Sequence, residues 1–223
     1  SFNISDGSEL WNFQTENSFA ISDTINSLIV IDNLVIFSNS IGDITAVDIE
    51  NGLITWQLPT QSTNIINESY KFRNSKLVSD KKSIIFSNNK DEFYSIDIKT
   101  GVANWINEVN SSVTSILIGN LIFTVSNEGY LFVIEKNNGN IIRITDLYKN
   151  YKEKKRADIK PIGFVIGNRN LYLTNSDGQM LVIDLVTGKS IYNIKVAKSF
   201  VSEPFISNEN LFVIRKGSII QYN

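Results

Sequence analysis

The sequence contains no cysteine and no histidine among its 223 residues. Without cysteine there is no disulfide, no thiol nucleophile and no thiolate metal site, and the redox compartment stays open. Without histidine the usual proton shuttle near neutral pH is missing. Only three prolines interrupt the backbone. Neither sign of charge dominates, since 21 Lys+Arg stand against 23 Asp+Glu for a net charge of −2. The excess basic charge that drives nucleic-acid binding is therefore lacking, and no nucleic-acid partner is expected. No apolar run approaches the roughly 20 residues of a membrane-spanning helix. The chain opens at Ser1 without a basic-then-apolar signal segment, which reads as a processed form or a fragment.

What is present is a repeat. Asp48, Gly52 and Trp56 stand at spacings of four and four, and so do Asp97, Gly101 and Trp105. Glu135, Gly139 and Arg143 keep the register, as do Asp184, Gly188 and Tyr192, and Asn3, Gly7 and Trp11 begin the series. Six residues before the acidic position a second marker recurs, at Gly42, Asp91, Gly129 and Gly178, and Gly217 stands likewise before Asn223. Between the markers lie short β-branched and aromatic runs: Leu34–Phe37, Ile84–Phe86, Leu121–Val125, Leu171–Leu173 and Leu211–Ile214. Each is followed by a turn rich in Ser, Asn, Asp or Gly, which reads as strand then turn. The glycine of the acidic–Gly pair supplies the positive φ of a tight turn, and the acid can accept from turn amides. The Trp then opens an outer strand and can cover the edge of the next unit.

One unit is thus four short strands over about 45 residues, which fits a propeller blade. The expected fold is all-β: a β-propeller of four-stranded antiparallel blades, about five of them, forming one domain over residues 1–223. Helical periodicity is absent, so a helix-pair solenoid is excluded. An immunoglobulin-like sandwich would not repeat its turn and Trp in register.

Two connections between units are longer than the others. The distance is 39 residues from Gly52 to Asp91 and from Gly139 to Gly178, but 28 from Gly101 to Gly129 and 29 from Gly188 to Gly217. The extra residues fall at Gln61–Phe72 and Asp146–Lys160, and both are expected on one face of a propeller, where insertions often bind. The second carries Lys149, Lys152, Lys154, Lys155 and Arg156. It reads either as a solvated loop or as a docking patch for an acidic partner or headgroups.

Chemistry is harder to find. Trp11, Trp56 and Trp105 are all absorbed by the repeat, leaving none as a cofactor platform. Asp48, Asp97, Glu135 and Asp184 recur symmetrically at the start of a turn, which is structural use. No phosphate-cradling Gly loop, metal-ligand cluster or nucleophile–base pair stands out, so no cofactor and no metal are expected.

The blade pattern resembles the quinoprotein-type propeller repeat, and within it the BamB-like lipoproteins of outer-membrane β-barrel assembly. The resemblance spans the chain. It is carried after Ile106 by Ser112-Val113, Gly119–Phe123, Asn170–Tyr172, Gly178–Leu181, Ser202-Glu203-Pro204 and Gly217–Ile220. It implies an eight-bladed ring of which this chain is the C-terminal five-eighths, with a lipid anchor upstream and a periplasmic location at the outer membrane. It also implies a scaffold rather than an enzyme, with a BamA-like barrel-inserting subunit as partner. The family's partner-binding segments fall on Ser18–Ser22, where Phe19 and Ile21 keep the apolar pattern but Ser22 replaces a basic residue, and near Tyr70, where the family's paired acids are absent. Lys154, Lys155 and Arg156 would add steering. Phe19 and Ile21 are equally open to packing between blades. Two other readings share the repeat. A quinone-dependent dehydrogenase would need a free Trp and a calcium site, and a sensor or adhesion propeller would leave the same sequence pattern.

Overall fold

A computed structural model describes residues 1–15, 26–39, 42–60, 73–198 and 200–222. The chain divides into two compact units, Ser1–Glu108 and Val109–Asn223. In the first unit, β1 (Leu28–Ile31), β2 (Leu34–Ser38), β3 (Ile44–Asp48) and β4 (Ile54–Leu58) form one sheet in that order. β5 (Val78–Ser79), β6 (Ser83–Ser87), β7 (Phe93–Asp97) and β8 (Ala103–Asn107) form the next. The second unit holds β9 (Ile116–Ile118), β10 (Leu121–Val125), β11 (Tyr130–Glu135) and β12 (Ile141–Asp146) in a third sheet. A short helix, α1 (Glu153–Asp158), leads to β13 (Pro161–Gly167), β14 (Asn170–Asn175), β15 (Gln179–Asp184) and β16 (Ser190–Lys195). The last sheet has three strands, β17 (Phe205–Ser207), β18 (Asn210–Arg215) and β19 (Ser218–Tyr222). Every pairing is antiparallel between chain neighbours. This is a β-propeller architecture, as the repeat implies.

The expected strands all appear, each as the second strand of a sheet. The two central strands of each four-stranded blade are its most buried. Ile36, Ile44, Ala46, Val47, Ile84, Phe86, Phe93 and Ile96 are wholly enclosed in the first unit, and Ile122, Val125, Leu131, Ile134, Leu171, Leu173 and Ile183 in the second. A strand covered on both faces reads as a near-continuous apolar run, which is why these were legible. The six-before marker holds a left-handed residue throughout. Gly42, Gly129, Gly178 and Gly217 have φ between 74° and 91°, and Asp91, standing where the others have glycine, adopts φ 62°. Asp tolerates that region because its short polar side chain bonds locally.

The acidic–Gly turn is the same object five times. The Gly N–H donates to the backbone carbonyl of the acidic position at 2.8–2.9 Å in each: Gly7 to Asn3, Gly52 to Asp48, Gly101 to Asp97, Gly139 to Glu135 and Gly188 to Asp184. In three of them the carboxylate caps the turn. Asp48 Oδ1 accepts from the amides of Glu50 and Asn51, Asp97 Oδ1 from Lys99 and Thr100, and Asp184 Oδ1 from Thr187. These acids therefore do turn-forming work, and they are half-buried.

Just past the turn the third and fourth strands slip by one residue. The shift falls between Ala46 and Val47, Ser95 and Ile96, Val133 and Ile134, and Val182 and Ile183. It is one β-bulge at one repeat position. An extra residue on the fourth strand turns the next side chain to the other face. The residue so re-aimed is Trp56, Trp105, Arg143 or Tyr192.

Candidate functional site

In the first unit the re-aimed ring lies on the next turn's glycine. A Cβ added at Gly101 would come within 2.5 Å of Trp56 Cδ2, and one at Gly52 within 2.6 Å of Trp11 Cε3. Only a residue without a Cβ admits a ring so close, and the turn needs the positive φ as well. Trp56 Nε1 donates to Ile98 O at 2.7 Å and Trp11 Nε1 to Ile49 O at 2.9 Å, in each case the carbonyl after the acidic position. Trp105 stacks on Phe93 with ring centroids 6.0 Å apart and planes 6° from parallel. The tryptophans are packing elements.

Arg143 does the same work with different chemistry. Its Nη2 donates to Leu185 O and its Nη1 to Val186 O, both at 2.6 Å. Leu185 follows Asp184, so the guanidinium reaches the carbonyl that an indole N–H reaches elsewhere. The ground over Gly188 is taken by Thr145, whose Cγ2 would lie 2.9 Å from an added Cβ. At this repeat a guanidinium replaces the indole as the hydrogen-bond donor to that carbonyl. Tyr192 departs further: it is 64% exposed.

The insertion after β12 is built outward from Tyr148. That ring is fully buried, an added Cβ at Gly129 would overlap it, and its hydroxyl donates to Asn175 Oδ1 at 2.6 Å. Burial drives its phenol pKa far above the ordinary value, so the hydroxyl stays a donor. Leu147 and Ile159 are buried on either side of the loop. The loop therefore leaves and re-enters the body at fixed points. Between them lies α1, rich in good helix formers, with Glu153 in its first turn and Lys155 and Arg156 in its last.

Sequence reasoning named Lys154, Lys155 and Arg156 here. Arg156 is a tether: its Nη1 meets Asp146 Oδ2 at 2.7 Å and its guanidinium lies 5.0 Å from the Tyr130 ring centroid. The carboxylate of Asp146 also caps Tyr148 N at 2.9 Å. Lys155 sits 4.6 Å from the Tyr151 ring centroid and 3.3 Å from Asp177 Oδ2. Tyr151 is in turn held by Gln179 and Asn193. Lys154 is exposed, along with Lys149 and Lys152. The patch thus divides into a locked half and a solvent-facing half. It can present fixed cations, but it has no nucleophile–base pair. Phe19, Ile21, Tyr70 and the whole Gln61–Phe72 connection lie outside the described residues. Among the described residues no three acidic, His or Cys groups cluster as a metal would require, and no helix is long and apolar enough to cross a membrane.

A concavity of about 780 Å³ opens between the last two sheets of the second unit. Its apolar walls include Tyr172, Met180, Tyr192, Ile206, Leu211 and Tyr222. Sequence reasoning did not find it, because its walls come from two sheets that only tertiary packing brings together.

Residues 1–145 match the family described as outer membrane protein assembly factor BamB. The chain belongs to the BamB family. The match stops at residue 145, so the likeness of the later stretches to BamB rests on fold. The crystal structure of BamB from Moraxella catarrhalis superposes with a TM-score of 0.75 at 14% identity, over 99% of this chain and 64% of that one. The β-propeller domain of Cps50 (Swd1) from Myceliophteria thermophila gives 0.63 at 12% identity, over 91% and 64%. Sqt1 from Saccharomyces cerevisiae gives 0.64 at 13% identity, over 86% and 56%. At such identities these likenesses speak for the propeller fold alone. The chain spans less than two thirds of the length of each. No curated protein matches the sequence.

Proposed function

We propose that this chain is the larger part of a single, non-catalytic propeller that serves as a protein-binding scaffold in outer-membrane β-barrel assembly. Membership of the BamB family carries the reading. The packing supports it from the other side. Trp11 and Trp56 are spent on turn glycines and Trp105 on Phe93, so none of the three indoles of this sequence is left to stack on a quinone. A propeller of this kind works by holding loops rigidly, and binding surfaces concentrate on loops so held.

The partner in this reading is a periplasmic domain of a BamA-like subunit, and the location is the periplasm beside the outer membrane, through a lipid anchor elsewhere in the protein. Phe19 and Ile21 would be the apolar anchors, and the segment near Tyr70 a further contact. Lys154, with Lys149 and Lys152, would steer from the α1 insertion at a range that salt shortens. Lys155 and Arg156 support that role by pinning the insertion.

The test is a calorimetric titration of the chain with that periplasmic domain. Burying one apolar anchor is worth about 2 kcal/mol, so each loss weakens binding roughly thirtyfold. Phe19→Asp plus Ile21→Asp should bring affinity below detection while circular dichroism is unchanged. Undiminished affinity removes the segment from the interface, and no binding by the wild type removes the partner.

A further inference from the structure

The fourth strand of each four-stranded sheet is an edge, and one of these edges is unlike the rest. On β12 the residues flanking the re-aimed Arg143 are Ile142 and Ile144, which are 58% and 53% exposed. At the same two positions the other fourth strands carry at least one polar residue: Thr55 and Gln57 on β4, Asn104 with Ile106 on β8, and Asn193 with Ile191 on β16. Polar side chains blunt an edge, and β12 has one at neither position. The direction of the backbone adds to this. Leu147 N donates to Gly129 O at 3.0 Å, and Thr145 stands opposite Leu131 with Ile144 opposite Phe132. Bonded and non-bonded pairs alternate along an antiparallel ladder, so Thr145 turns its N–H and C=O to β11 and Ile144 turns both away. Among the described residues β12 pairs only with β11. From this edge the chain runs directly into the α1 insertion. Arg156 Nη1 meets Asp146 Oδ2 at 2.7 Å, which fixes the insertion at the C-terminal end of β12. Lys149, Lys152 and Lys154 are exposed on it.

We propose that the β12 edge, together with the lysines of the α1 insertion, binds an extended segment of a partner chain that has alternating apolar residues and an acidic run at its N-terminal end. The segment adds to the sheet as a further strand. Main-chain bonds through the outward N–H and C=O of Ile144 give affinity, and alternate side chains give specificity. Ile142 and Ile144 are the apolar cross-strand partners. Polarity follows from the sheet. Every pairing in it is antiparallel, so the N-terminal end of the segment meets the C-terminal end of β12, beside the lysines. Charge complementarity then places the acids at that end. Size points to an extended segment rather than a folded partner, because a six-residue strand edge falls far below the roughly 1,200 Å² that stable interfaces between folded proteins bury. The surface shares its lysines with the function proposed above, but it needs neither Phe19 and Ile21 nor a BamA-like domain.

The test uses the whole chain and a fluorescently labelled peptide of alternating valine and threonine with a run of glutamates at its N-terminal end. Anisotropy should show saturable binding that weakens as salt is raised. Moving the glutamates to the C-terminal end, or replacing them by lysines, should weaken binding about tenfold. Methylating alternate amides of the peptide, on the side that faces β12, should abolish binding while the protein is untouched. On the protein, Ile142→Thr plus Ile144→Thr should weaken binding about tenfold. Ile144→Pro should abolish it, and an edge tolerates proline where the N–H faces out of the sheet. Circular dichroism checks that both variants fold. The proposal is overturned if the wild type does not bind the peptide, or if the methylated peptide or the double-threonine variant keeps full affinity. It is overturned equally if the chain self-associates with rising concentration and Ile144→Pro abolishes that, since the edge then serves a second copy.

Discussion

Removing the Trp56 ring should be costly, and the cost should depend on Gly101. Trp56 is buried, its ring lies where a Cβ at Gly101 would be, and its Nε1 is bonded to Ile98 O at 2.7 Å. Large-to-small changes of buried aromatics cost about 3–5 kcal/mol. Part of that, about 1–3 kcal/mol, reflects leaving the Ile98 carbonyl unpaired. Gly101→Ala should cost about 1 kcal/mol for the positive φ alone, plus much of the ring's own contribution, since the methyl and the indole cannot share the space. In a Trp56→Ala background only the backbone share of Gly101→Ala should remain. The double-mutant cycle should therefore show a coupling of about 2 kcal/mol or more, where independent sites add within about 0.5 kcal/mol. Denaturant unfolding followed by far-ultraviolet circular dichroism measures all four proteins without relying on the deleted fluorophore. Additivity within 0.5 kcal/mol would refute the claim that ring and glycine form one contact.

Arg143→Lys should lose about 1–3 kcal/mol despite keeping the charge, because one ammonium cannot reproduce the fork that serves Leu185 O and Val186 O; equilibrium unfolding reads it. Arg156→Ala should speed amide exchange through 149–158 while leaving β10 and β11 protected, since Asp146 and Tyr130 hold the loop through that side chain. Tyr148→Phe should destabilise by about 1–3 kcal/mol by leaving Asn175 Oδ1 without its donor. The carboxyls of Asp97 and Asp184 are held below the ordinary value by the amides of Thr100 and Thr187, and next by the hydroxyls of those residues. Their stabilisation is thus present above the unfolded pKa of about 3.9 and is lost as pH falls through the lower folded values. Carbon-detected NMR titration should place both midpoints below those of Asp residues in an unfolded peptide.

Much of this fold was legible because a propeller writes the same local rules several times. The acidic–Gly turns, the left-handed marker and the apolar second strands are decisions of the backbone over a few residues. Each therefore leaves its mark in adjacent letters, and five copies in register turn a weak signal into a strong one. Asp91 stands at the glycine's place in the repeat, and its φ of 62° agrees with that position. The α1 segment was open to the same kind of reading through its run of helix formers, but its six residues are shorter than any periodicity can show. Other features had no sequence mark because they depend on what lies across a sheet boundary. The bulge that turns Trp56 inward is visible only in strand register. That Arg143 can stand in for an indole depends on two carbonyls more than 40 residues away in sequence. Lys154, Lys155 and Arg156 are three consecutive cations of one kind in the sequence. Tertiary structure separates them, because Asp146, Asp177 and the Tyr130 and Tyr151 rings come within reach of two and leave Lys154 to solvent.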